Sequence, residues 1–128
     1  MRAEAICHAA VEALDDIKAE DIVVMDVRQM SSLFDYVIVA SAESTRQTRA
    51  LASNVQDRLR STGTRVLGVE GENSGEWVLV DLGAVIVHVM QPAIRTYYNL
   101  EQLWGGEAPR RQSAGGTLAD GAGSTASG

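Results

Sequence analysis

Apolar residues recur along the chain with two periods, and each change of period predicts a change of element. Ile6, Ala10, Leu14 and Ile17 stand at the spacing that lines one helix face, predicting a helix over 3–18. "DIVVMDV" (21–27) reads as a strand. "FDYVIVAS" (34–41) reads as a second strand, whose nearly continuous apolar run suits the interior of a sheet. "SAESTRQTRALASNVQDRLRSTG" then opens a helix. Ser44 followed by Gln47 is a capping-box signature, and Thr48, Leu51, Ala52, Val55 and Leu59 form the buried stripe. Gly63 stands where a C-terminal stop belongs. "TRVLGVE" follows as a strand, "GENSG" as a loop, and "EWVLVDLGAVIVHVM" (76–90) as a hairpin. Pro92, tolerated in a first helical turn, begins a last helix over 92–104 that paired glycines end. The order α-β-β-α-β-β-β-α predicts an α/β fold, a five-stranded mixed sheet with helical cover.

The hairpin raises a question of faces. Side chains alternate across a strand, so Val78 and Val80 point one way while Trp77, Leu79 and Asp81 point the other. Val85, Val87 and Val89 likewise oppose Ile86, His88 and Met90. A two-residue turn at Leu82-Gly83 pairs Val80 with Val85, Val78 with Val87, and Trp77 with His88. That register sets valine against valine, which a one-residue slip would destroy. The valine face is the one helices pack on. The second face is large and of mixed character, and three helices are few to cover both sides of five strands. Either a helix end shields part of it, or it is an exposed patch of the kind that marks a partner site, with tryptophan as a favoured anchor.

Composition narrows the classes. The chain has 128 residues, 45% of them hydrophobic, enough for one domain with a real core. Residues 107–128, "EAPRRQSAGGTLADGAGSTASG", contain a single leucine and no aromatic, and predict a disordered tail that leaves a folded domain at 1–106. Lys plus Arg is 11 against 17 Asp plus Glu, a formal charge of -6, which argues against a large electrostatic footprint on nucleic acid. The N-terminus has neither a signal-peptide nor a transit-peptide pattern, and no apolar run approaches the ~20 residues of a membrane span. The expectation is a cytoplasmic protein without membrane contact.

Candidate chemistry is sparse. Cys7, the one cysteine, reads as a small core residue on the first helix. His88 could be a base or a ligand, but a lone strand histidine is more often a hydrogen-bonded structural residue, and the other histidine, His8, with Cys7 beside it does not make a metal-ligand spacing. Ser41 opening a helix just after a strand suggests nucleotidyl transfer. That chemistry needs paired carboxylates holding two metals, whereas Asp26, Asp35 and Asp81 are scattered singly. No catalytic, metal or cofactor site is expected. Arg46 and Arg49 near one helix N-terminus could pair with acids such as Glu43, lie solvated, or grip a partner.

The segments "DIVVMDV", "FDYVIVAS", "SAESTRQTRALA", "LGVEGENSGEWVLVDLGAVIVHVMQ" and "YYNLEQLWGG" together resemble the ribosomal silencing factor family, also called Iojap-like proteins, over about residues 5–106. The resemblance implies a nucleotidyltransferase-like fold without the catalytic set. It implies binding to the large ribosomal subunit through the ribosomal protein conventionally numbered fourteen (uL14), blocking subunit joining and lowering translation when nutrients are short. It also implies homodimers in the free state. Trp77, Leu79 and Asp81 match the family's strand motif and His88 its V-V-H. Tyr98, Leu100, Leu103 and Trp104 match its closing helix, and Ser41, Ser44 and Arg46 its helix opening. Ala42 replaces a usual glycine, Gln47 a frequent histidine, and Ala84 a common acid at the turn. The partner-binding set so implied is Trp77, Leu79, Asp81, His88, Arg46 and Tyr98. Trp77 and Leu79 form the buried contact, Asp81 and Arg46 the charged rim, and His88 supports Trp77 from across the hairpin. An acidic protein can bind a ribosome this way by docking on protein. The alternatives are a metal-dependent nucleotidyltransferase and a homodimerisation module.

Overall fold

In the computed structural model the described residues are 2–105, with 110 and 111. The first helix, α1 (Ala3–Asp16), buries Ile6, Ala10 and Leu14 as their spacing demands, and Cys7 joins them. It is followed by β1 (Glu20–Asp26) and β2 (Tyr36–Ser41). The second helix, α2 (Thr45–Ser61), starts where Ser44 Oγ accepts the Gln47 backbone N–H at 3.1 Å, satisfying one of the free donors of the first turn. Every residue of its forecast stripe is buried. The chain leaves α2 through Gly63 at φ +87°. Then come β3 (Gly68–Glu70), β4 (Trp77–Asp81), β5 (Val85–Met90), α3 (Pro92–Tyr98) and α4 (Leu100–Gly105).

All five expected strands form one mixed sheet in the order β3-β4-β5-β2-β1, in which only β2 and β5 run parallel. A two-residue strand, β6 (Arg110–Arg111), pairs antiparallel with the outer edge of β1. The expectation of a disordered tail otherwise lies outside the described residues. Helices α1 and α2 pack side by side on the valine face. The core there joins Leu14, Leu51, Val55 and Leu59 to Ile38, Val78, Val80, Val85, Val87 and Val89. Each of these buried branched side chains contributes about 1.5–3 kcal/mol by leaving water. Arg58 of α2 bridges Glu12 and Asp16 of α1, and Asn54 Nδ2 donates to the Ala13 carbonyl at 2.7 Å. Among the described residues no helix is long and apolar enough to cross a membrane.

Three expectations need correction. The hairpin turns at Gly83-Ala84, so that Val80 faces Val87, Val78 faces Val89, and Trp77 faces Met90. The two-residue shift keeps every side chain on its predicted face, so alternation alone could not detect it. Two forces choose it. Gly83 adopts φ +90°, which a two-residue hairpin turn requires of its first central residue, and Leu82 stays buried as a further member of the valine face. Under the forecast register Leu82 would sit at the tip. Second, the last helix is two. Asn99 at φ 49°, ψ 57° breaks it, a left-handed conformation that asparagine tolerates better than most residues. Third, the strand forecast over 64–70 forms only at Gly68–Glu70, because pairing with β4 ends where Gly68 meets Asp81.

The α3–α4 pair answers the question of the second face. Ile94, Leu100 and Trp104 pack over Val23, Met25, Val27, Val37, Val39 and Met90. This covers the β1–β2–β5 side. The β4 side, with Leu79 and Asp81, stays half-exposed.

Candidate functional site

The feature of mixed chemistry sits where cover runs out. Trp77, first residue of β4, leans diagonally across the hairpin, a reach that large rings span easily. Its Nε1–H donates to His88 Nδ1 at 3.0 Å. His88 is therefore held as the neutral tautomer with its proton on Nε2. Burial at 8% exposure drives its pKa down to about 4, because a charged imidazole would lose its hydration. His88 faces Leu79 across the strands, so the forecast that placed it opposite Trp77 is corrected by one diagonal step.

The outer side of the Trp77 ring meets Tyr98, the last residue of α3, with centroids 4.8 Å apart at 49°. Tyr97 stands edge-on to Tyr98 at 5.0 Å and 84°. Tyr98 is 51% exposed and Tyr97 81%. Three aromatic rings thus form a step from the sheet outward, with Leu103 of α4 also 74% exposed. Such a surface is rigid, apolar and tipped with hydroxyls, suited to burying a partner side chain while hydrogen-bonding at its edge.

Of the six sequence-derived residues, the fold brings Trp77, His88, Leu79 and Tyr98 together. Asp81 is at the far end of β4, about 13 Å along the strand from Trp77. Its Oδ1 accepts the Gly83 N–H at 2.9 Å, so it also braces the turn. Arg46 lies exposed in the first turn of α2, next to Thr45, whose atoms lie against Gly75 of the loop that leads into Trp77. Its neighbour Arg49 is committed to that loop through the Glu72 and Asn73 carbonyls at 2.7 and 2.5 Å. Thr48 Oγ1 donates to the Gly75 carbonyl of the same loop. Arg49 therefore grips backbone, where sequence reasoning set solvent, acids or a partner as its choices.

Sequence reasoning missed Arg95 and Glu101, an ion pair at 2.9 Å with side-chain exposures of 10% and 19%. Six residues separate them, a spacing no continuous helix brings face to face, so only the Asn99 break makes them neighbours. Elsewhere, burial lifts the Cys7 thiol to about 11, in keeping with a core residue. Asp26, hydrogen-bonded by Arg28, is held below the usual carboxylate range. Among the described residues no three of His, Cys, Asp and Glu cluster closely enough to hold a metal ion.

Comparison with known proteins places this arrangement. The family model described as "Ribosomal silencing factor during starvation" matches residues 1–126. A ribosomal silencing factor RsfS from Chromobacterium violaceum is 51% identical over 109 residues, covering 85% of this chain and 89% of that protein. One from Bacillus subtilis is 41% identical over 109 residues, covering 85% and 92%. A crystal structure of a Chromobacterium violaceum protein superposes with a TM-score of 0.82 at 48% identity, covering 91% of this chain and 98% of that one.

Proposed function

The chain belongs to the ribosomal silencing factor family, and on that premise we propose that it is a non-enzymatic blocker of the large ribosomal subunit. The proposed partner is the large-subunit protein uL14, docked on the half-exposed β4 side of the second sheet face. The bound factor then occupies the surface that the small subunit needs, and translation falls under nutrient limitation. The observation that carries this reading is the Trp77–Tyr98–Tyr97 aromatic step at the margin of the α3–α4 cover. Leu79 extends the apolar contact along β4. Asp81 at one end and Arg46 at the other supply charges of opposite sign that fix register and speed encounter. His88 lies under the surface and holds the indole in place.

A stable interface buries about 1,200–2,000 Å² in total, and a few central aromatic residues carry most of its energy. Trp77→Glu removes the central ring and adds a charge, so capture of purified large subunits should fall by about 100-fold, the loss of one hot spot. Trp77→Phe keeps an apolar ring and should retain most of the binding. Co-sedimentation with large subunits, with circular dichroism as the check on folding, reads both. A folded Trp77→Glu chain that co-sediments normally overturns the docking face. Sizing chromatography of the same variant reports whether the face serves self-association instead.

A further inference from the structure

Arg95 is 9% exposed, and its guanidinium ties three separate elements. Nη1 donates to the Asp21 carbonyl at 2.7 Å and to Ser41 Oγ at 2.9 Å. Nη2 and Nε reach the Glu101 carboxylate at 2.9 and 3.3 Å. Asp21 can offer its carbonyl because β1 bulges there, with φ 48° and a register break between Glu20 and Val23. Glu101 can return to Arg95 because Asn99 turns the chain left-handed. Two unfavourable backbone conformations thus converge on one side chain, the pattern expected where a local geometry is held for a purpose.

Tyr98 lies between the two ends of this ion pair. Arg95 fixes α3 one turn before it, and Glu101 fixes α4 just after it. We infer that the Arg95–Glu101 pair is a latch that positions Tyr98 against Trp77 and so shapes the docking surface. These are positioning residues, since Arg95 is buried, Glu101 is mostly covered, and both act through the tyrosine. The inference rests on the docking reading for its functional consequence, but its geometric part stands separately. A buried ion pair is a poor source of net stability compared with apolar packing and a good source of a unique arrangement. Ile94, Leu100 and Trp104 already supply the packing under α3–α4. The latch decides where the exposed ring stands.

Two variants test this on the full chain. Glu101→Ala removes the carboxylate, and Glu101→Gln keeps its shape and one acceptor, so a folded sample is available if the first fails. In Glu101→Ala the nuclear Overhauser cross-peaks between the Tyr98 and Trp77 rings should disappear, while the β-sheet amide signals stay in place. Capture of purified large subunits should weaken about tenfold, the effect of one misplaced aromatic ring. Glu101→Gln should retain part of both signals. Ring cross-peaks that persist in either folded variant at wild-type strength overturn the latch, whatever binding does. If the cross-peaks vanish with capture unchanged, while Trp77→Glu weakens capture about 100-fold, the claim that the latch shapes the docking surface is overturned, and the docking reading stands. If Trp77→Glu binds normally, docking on this face fails, and the ring cross-peaks alone decide the latch.

Discussion

His88 offers a quantitative check on how the site is built. Its imidazole is buried and neutral, accepting from Trp77, with a pKa of about 4 in the folded chain against 6.5 when unfolded. The unfolded chain therefore takes up a proton first as pH falls. The stability that neutral His88 supports is whole above pH 6.5 and drains away between pH 6.5 and 4. One pKa unit is worth about 1.4 kcal/mol, so at pH 5, roughly midway, this single group should withdraw about 2 kcal/mol from the folding free energy. Carboxylates also titrate near the lower end of that range, so the group is isolated by difference. His88→Gln keeps an acceptor for the indole N–H and cannot take up the proton. Urea denaturation of both proteins at pH 8 and pH 5 gives the comparison. The wild type should lose about 2 kcal/mol more than His88→Gln between the two conditions. A double difference below about 0.5 kcal/mol would mean that His88 takes up its proton without disturbing the fold. The buried, indole-bonded imidazole would then be wrong. In the folded wild type Trp77 fluorescence should hold down to pH 5 and redden only as pH nears 4, where folded His88 takes up its proton and Nδ1 can no longer accept from the indole.

Two further perturbations test how the site is framed. Ser44→Ala deletes the cap that accepts the Gln47 N–H and should lower stability by about 1 kcal/mol in urea denaturation, with large-subunit capture unchanged. Gly71 sits at φ +86°, and a Cβ there would lie 2.0 Å from the Trp77 carbonyl oxygen. Gly71→Ala should therefore lose more than the ~1–2 kcal/mol of left-handed backbone strain and weaken capture as well, because relieving the clash moves Trp77. A loss under about 0.5 kcal/mol, or full capture, would show that this glycine does not set the entry to β4.

Local pattern determined a good deal about this protein. Helical spacing in 3–18 and the stripe from Thr48 to Leu59 dictate α1 and α2, because an amphipathic helix has only one face it can bury. Alternation in 76–90 dictates that valines line the helix side of the sheet and that Trp77, Leu79, Asp81 and His88 share the other. It also made Trp77 a candidate contact, since a tryptophan on a mixed face is unusual for a plain core. The long ordered motif made the family legible. Tertiary structure decided the rest. A two-residue change of hairpin register preserves every face, so the choice of Gly83-Ala84 needed the turn conformation and the burial of Leu82. Covering the second face depended on breaking the last helix at Asn99, a single backbone conformation that periodicity does not report. Glu101 met Arg95 because of that break, and Tyr98 met Trp77 because α3 packs back against the start of β4. Such pairings join residues far apart in the sequence or across a chain reversal. Their partners are fixed by how layers pack, and no local spacing encodes them.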